Sequence, residues 1–186
     1  MRVLICYDGS ADAQAAIDSA GRLMPGSDAT VLVVWETMLE SMTRTGALGL
    51  GFGLVAAYAD DDTDAALRRD ALDTATDGTQ RAAAAGLIAE SKIAKRDDDI
   101  TRVILAAASD VDAEVIVLGT RGRGGIKSLM LGSVSSAVLH HGDRPVLVIP
   151  SPALRYERQQ WADHVKSIPR ASQDQSEKEQ HERSIN

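Results

Sequence analysis

Four short apolar runs constrain this chain more than any other feature: Arg2–Cys6, Thr30–Trp35, Glu114–Leu118 and Pro145–Ile149. They are rich in Val, Ile and Leu, and Thr30–Trp35 is a continuous β-branched run with no polar alternation. A strand of that kind has no face to give to water, so helices must cover it on both sides. A fifth segment, residues 87–94, alternates imperfectly through Leu87, Ile88, Ile93 and Ala94 and reads as a strand at the sheet edge.

Between the strands the spacing becomes helical. From Ala13, the positions Ala16, Ile17, Ala20, Leu23 and Met24 share a face that stops at Pro25-Gly26. Asp60, Asp61 and Asp62 put negative charge at the start of a second helix, whose face Leu67, Ala71, Ala75, Thr79 and Ala82 runs to Gly86 and is expected to fray around Gly78. Asp99 caps a third, marked by Ile100, Val103, Ile104, Ala107, Ala108 and Val111. Ser133 to His140 form a fourth, with Val134, Ala137 and Val138 on one side. Strict alternation of strand and helix predicts an α/β fold: an open, doubly wound, parallel five-stranded sheet with helices on both faces, Rossmann-like in layout.

At 186 residues and 44% hydrophobic content the chain can bury a core without disulfides or structural metal. Residues 1–150 read as one domain. Within it, residues 37–59 carry Gly46, Gly49, Gly51 and Gly53 in no clean period and are taken as a mobile insertion. Residues 151–186 turn polar and charged, a tail expected to be poorly ordered, with helix at most near Tyr156–Val165. A net charge of −7 disfavours a nucleic-acid partner. Cys6 is the single cysteine, read as a small core residue in a reducing compartment. The opening residues lack a secretory signal, and Ala47–Ala59 is far short of the roughly 20 residues that span a bilayer. The expectation is a cytoplasmic protein with no membrane partner.

The chemistry concentrates in Gly119–Ser133, a glycine-rich loop leaving one strand and ending at a helix start. Gly119, Gly122 and Gly132 permit close backbone approach and positive φ, while the N–H groups opening the next helix, at Ser133, Val134 and Ser135, point at whatever lies in front. A phosphate chain suits that position. Ser133 and Ser135 could add hydroxyl donors, and Arg121, Arg123 or Lys127 could offset phosphate charge. No Gly-Lys dipeptide occurs, so this is not a Walker A loop, and G-x-G-x-x-G is also missing from the segment. The adjacent His140 and His141 point in different directions on a helix and do not make a metal pair.

The spacing Gly119, Gly122, Gly132, Ser133 is that of G-x2-G-x9-G-[S/T], and by it the chain resembles the ATP-binding universal stress proteins. The likeness extends over residues 1–150, through Val3–Ser10 with its Asp-Gly-Ser loop, Val31–Glu36, and Ser133–Pro150 with its Arg-Pro-Val-Leu-Val ending. The resemblance implies an adenine nucleotide alpha hydrolase-like fold that binds ATP or AMP, with or without Mg2+. It would put Asp8 near the adenosine, Val34 on adenine through backbone hydrogen bonds, and Gly119, Gly122, Gly132 and Ser133 on ribose and phosphates, with Leu118 and Arg121 as further contacts. Asp8 has a second reading as the cap of the first helix, and Trp35 is read as core before it is read as an adenine wall. The resemblance also implies a homodimer joined along the edge strand 145–149, a further protein partner unknown, and a stress-response sensor or signalling module with at most weak ATPase activity. A slow ATP hydrolase or adenylyl-transfer enzyme on the same fold, or a nucleotide-free scaffold, are the competing readings.

Overall fold

The computed structural model describes residues 1–45, 61–96, 99–122 and 131–167. Five strands, β1 (Arg2–Cys6), β2 (Asp28–Trp35), β3 (Ile88–Lys95), β4 (Val115–Gly119) and β5 (Val146–Ile149), form one parallel sheet in the order β3-β2-β1-β4-β5. The chain winds outward from β1 to β3, then returns past β1 and winds the other way through β4 and β5. The winding reverses between β1 and β4, where Val3 lies opposite both Ala29 and Val115. The α/β architecture is the one the alternating runs require, and the 87–94 segment is indeed an edge strand.

Two cores follow from the pleat. On one face Val3, Ile5, Tyr7, Val31 and Val33 pack against α1 (Ala11–Leu23) and α3 (Asp61–Ala84). On the other, Leu4, Leu32, Ile116 and Leu118 pack against α4 (Ile100–Asp110) and α5 (Ser133–His141). Each fully buried aliphatic side chain contributes about 1.5–3 kcal/mol. The first core is built largely on alanine, Ala13, Ala16, Ala20, Ala71, Ala75 and Ala82, which lets the helices lie close to the sheet. Where even a methyl is too large, glycine stands: a Cβ on Gly78 would come within 2.6 Å of the Tyr7 ring and 2.9 Å of Val31. Helix α3 therefore runs unbroken through Gly78, and the expected fraying there is corrected, because that glycine is a packing contact.

Local chemistry fixes the helix ends. Ser10 caps α1, its Oγ accepting from the Ala13 N–H at 3.2 Å. Asp99 caps α4 by accepting from the Thr101 N–H at 2.9 Å, as expected. Beyond that helix, Arg144 donates from Nη1 to the carbonyls of Ala108 and Ala113, each at 2.9 Å.

The segment 37–59 departs from expectation. Met38–Thr45 is a helix, α2, opened by a reciprocal cap in which the Thr37 N–H donates to Glu40 Oε2 at 2.9 Å and the Glu40 N–H to Thr37 Oγ1 at 3.3 Å. That Thr-x-x-Glu signature was legible in the sequence but masked by the glycines that follow. The Lys95 Nζ ion pair to Glu40 at 3.1 Å ties α2 to the end of β3, and the Met38 N–H donates to Asp64 of α3. The remainder of the segment lies outside the described residues. Residues Met1–Pro152 form one compact unit and Ala153–Asn186 a second, of which residues 153–167 are described; they belong to the helix α6 (Pro152–Ser167), longer than the stretch expected at Tyr156–Val165.

Candidate functional site

At the carboxyl ends of β1 and β4, beside the reversal of winding, lies a cavity of about 700 Å³. Open α/β sheets bind ligands at this position, and the volume is within the range of small-molecule sites. All ten residues singled out for the loop and strands, Asp8, Val34, Leu118, Gly119, Arg121, Gly122, Gly132, Ser133, Val134 and Ser135, line it. Its inner wall is apolar, built by Leu32, Val34, Ile100, Ile104, Leu118 and Val134. Its mouth is polar.

The pleat decides which strand residues reach it. Cys6, Leu32 and Val34 belong to the α4/α5 face, whereas Trp35 packs into the opposite core, as the core reading expected. Backbone alternation acts with it. The Tyr7 N–H donates to the Leu32 carbonyl at 2.8 Å and the Arg96 N–H to the Trp35 carbonyl at 2.6 Å, so even-numbered residues of β2 turn toward β1 and odd-numbered ones toward β3. The β1–β2 register ends at Cys6 opposite Leu32. The N–H and C=O of Val34 consequently face the gap beyond β1, one donor and one acceptor on a single strand edge.

The glycines at 119, 122 and 132 all lie close to neighbouring atoms, and proximity is strictest at Gly119. A Cβ on Gly119 would lie 2.6 Å from the Asp12 carbonyl carbon and 2.9 Å from the Ala13 nitrogen, one on Gly122 would lie 2.6 Å from Asp8 Oδ2, and one on Gly132 would lie 3.1 Å from the Thr120 carbonyl oxygen. Positive φ belongs instead to Gly9, Gly26 and Gly86, which corrects that part of the expectation. Gly132, at φ −64°, is the N-cap of α5, and no side chain caps that helix or adds an acid to its first turn. Among the described residues no side chain takes up the opening N–H groups of α5, which lie at the cavity mouth, whereas α1 and α4 are each capped by a side chain.

Other expectations are redistributed. Asp8 does not cap α1; its Oδ1 accepts from the Ser10 N–H at 3.0 Å, and Ser10 is the cap. Ser135 is buried, and its hydroxyl donates to the Thr120 carbonyl at 2.8 Å with the Gly132 carbonyl at 3.0 Å, so it secures the loop, leaving Ser133 as the exposed hydroxyl at the helix start. Thr120 has its own Oγ1 buried without a partner, a cost of about 1–3 kcal/mol that the loop carries. Arg123 and Lys127 lie outside the described residues.

Cys6 packs against the α4/α5 core, as expected, and its half-buried side chain also lines the cavity. Burial, with the Asp8 carboxylate adding to it, pushes its thiol up to about 12, so it stays a neutral wall residue. Asp12 was missed by sequence reasoning: its carboxylate, buried in the first turn of α1, accepts from the Arg121 N–H at 3.1 Å and pins the loop to that helix. Ile100 and Ile104 were read only as a helix face; their i, i+4 spacing just inside the Asp99 cap is what carries them to the wall.

Residues 1–150 match the family model described as the universal stress protein family. The universal stress protein YxiE of Bacillus subtilis is 28% identical over 148 residues, which are 80% of this chain and 97% of that protein. Among solved structures, the universal stress protein from Archaeoglobus fulgidus in complex with dAMP aligns with a TM-score of 0.51 and 22% identity, over 80% of this chain and 97% of its own. A universal stress protein family protein from Arabidopsis thaliana with AMP bound aligns with a TM-score of 0.51 and 17% identity, over 82% and 93%. With the sheet order, the glycine loop and a family match spanning residues 1–150 in agreement, this chain belongs to the universal stress protein family.

Proposed function

We propose that the chain binds an adenine nucleotide, ATP or AMP with Mg2+ admitted beside the phosphates, and serves in stress response as a nucleotide-dependent sensor or signalling module. The observation that carries this reading is the N-terminus of α5, which has neither a side-chain cap nor an acid in its first turn and opens at the mouth of an apolar cavity. N–H groups left uncapped among the described residues, with the positive end of a helix dipole, favour an anion there. The apolar wall behind them suits a flat base.

In this reading the phosphates meet the N–H groups of Ser133, Val134 and Ser135, with the Ser133 hydroxyl and Arg121 beside them. Gly119, Gly122 and Gly132 keep the backbone close, Asp8 faces the ribose, and Leu118 packs on the base. The donor and acceptor of Val34 suit the edge of adenine, which presents an acceptor beside a donor. The relatives from Archaeoglobus fulgidus and Arabidopsis thaliana, with dAMP and AMP respectively, support the adenine assignment. The same reading joins two copies along the free edge of β5.

Isothermal calorimetry with ATP, ADP and AMP on the folded chain tests it. One nucleotide per chain is expected, with guanine nucleotides bound at least about tenfold more weakly because their donor and acceptor are exchanged. Folded protein that gives no heat with any of the three would overturn the proposal.

A further inference from the structure

The loop that brings Asp8 to the cavity is held from the other face of the sheet. Tyr7 lines the cavity together with its neighbours Cys6 and Asp8, while its side chain is buried in the α1/α3 core and its hydroxyl donates to Asp77 Oδ2 of α3 at 2.5 Å. One residue on, Gly78 leaves room for the Tyr7 ring against the helix backbone. A second tether runs through Gln14, whose Nε2 donates to the Gly9 carbonyl at 3.1 Å while its Oε1 accepts from Arg81 Nη1 at 3.4 Å. Arg81 itself is held by a two-point pair with Asp18, at 2.9 and 2.6 Å. Gly9 has φ +79°, so the turn after Asp8 depends on a left-handed residue fastened by its carbonyl.

We propose that Asp77 and Arg81 of α3, acting through Tyr7 and Gln14, are positioning residues for the nucleotide site on the far side of the sheet, so that nucleotide affinity and the order of α3 around Gly78 are coupled. The proposal rests on the nucleotide reading above. A purely stabilising role accounts poorly for the arrangement, because the Arg81–Asp18 pair is about 40% exposed on both sides (38% and 42%) and such pairs contribute little to stability. Both tethers converge instead on residues 7–9, flanking Asp8. A ligand that orders this loop must also favour the state of α3 in which the tethers are made, and the coupling is reciprocal.

The test compares Tyr7→Phe, Arg81→Met and Asp77→Ala with the native chain, using AMP calorimetry and hydrogen exchange of the full chain. Each is expected to raise the Kd for AMP by about fivefold, within the range of such couplings. Asp77→Asn, which keeps an acceptor oxygen for Tyr7, should restore affinity to within about twofold. In the native chain AMP should slow amide exchange around Gly78, and in Tyr7→Phe it should not. Ala82→Gly, in the same helix but outside the tethers, should lower Tm without moving Kd. Native affinity in Tyr7→Phe, or equal loss in Ala82→Gly, overturns the positioning role while leaving nucleotide binding intact.

Alkylation of Cys6 gives a readout that needs no nucleotide, since Asp8 and Cys6 share the cavity. A loosened loop should speed thiol alkylation at alkaline pH at least about threefold in Tyr7→Phe. If the native chain binds no nucleotide yet alkylation is faster in Tyr7→Phe, the nucleotide reading falls and the loop-positioning role stands; if alkylation too is unchanged, both fall.

Discussion

At the scale of single residues, the signature glycines Gly119, Gly122 and Gly132 have different reasons to be glycine, and the reasons separate by experiment. Gly119 meets backbone atoms of Asp12 and Ala13, which cannot move without shifting α1, whereas Gly122 meets only the carboxylate of Asp8, which can rotate. Gly119→Ala is therefore expected to cost about 3 kcal/mol in urea unfolding, as forced overpacking does. Gly122→Ala should cost under about 1 kcal/mol in stability yet weaken AMP binding severalfold by displacing Asp8. Equal loss of stability in the two would contradict this account. The sequence placed all three glycines in the site, but not their separate tasks, because what Gly119 and Gly122 approach comes from chain far away: Gly119 is set against Asp12 and Gly122 against Asp8, each across more than a hundred positions.

Among the elements, the contrast between helix starts bears on function. Helices α1 and α4 each spend a side chain on their opening N–H groups, and among the described residues α5 spends none. Helix α2 is the opposite extreme, closed by its Thr37–Glu40 reciprocal cap. The Thr37 N–H holds the Glu40 carboxyl below its ordinary value of 4.5, with Lys95 adding to it. A carboxyl whose folded pKa is depressed contributes stability that is present above the unfolded value and lost as pH falls through the folded one. Amide exchange in α2 should accordingly accelerate as pH is lowered below 4.5, after correction for the intrinsic rate, and should be pH-insensitive in Glu40→Gln. No such difference between the two proteins would remove the cap from the account. The strands and the three long helices of the sheet domain were legible from periodicity. Helix α2 was not, because a single eight-residue element beside a glycine run offers too few repeats for a period to emerge.

For the whole molecule, the open sheet leaves β5 unpaired on one side among the described residues, and the proposed dimer uses that edge. The Ile116 N–H donates to the Pro145 carbonyl and the Thr120 N–H to the Ile149 carbonyl, so odd-numbered residues of β5 face β4 and the N–H of Val148 points to the free edge. Proline is tolerated at such a position because it removes no bond of the existing ladder. Val148→Pro should leave a folded chain of 19.8 kDa by light scattering, where the native protein is expected to give twice that mass. A native monomer at micromolar concentration would refute the dimer.

By itself the sequence determined the layered α/β plan, the strand and helix order and the stretch of loop in which the site lies. Those depend on local periodicity and on residues close together along the chain, which a single strand or helix expresses before any packing occurs. Only the tertiary structure decided that Cys6 stands on the cavity wall, that Ser10 and not Asp8 caps α1, that Ser135 serves the loop, and that Gly78 exists for Tyr7. Each is a contact between segments distant in sequence or a choice between neighbouring side chains for one partner, and it is settled by which backbone arrives within a few ångströms.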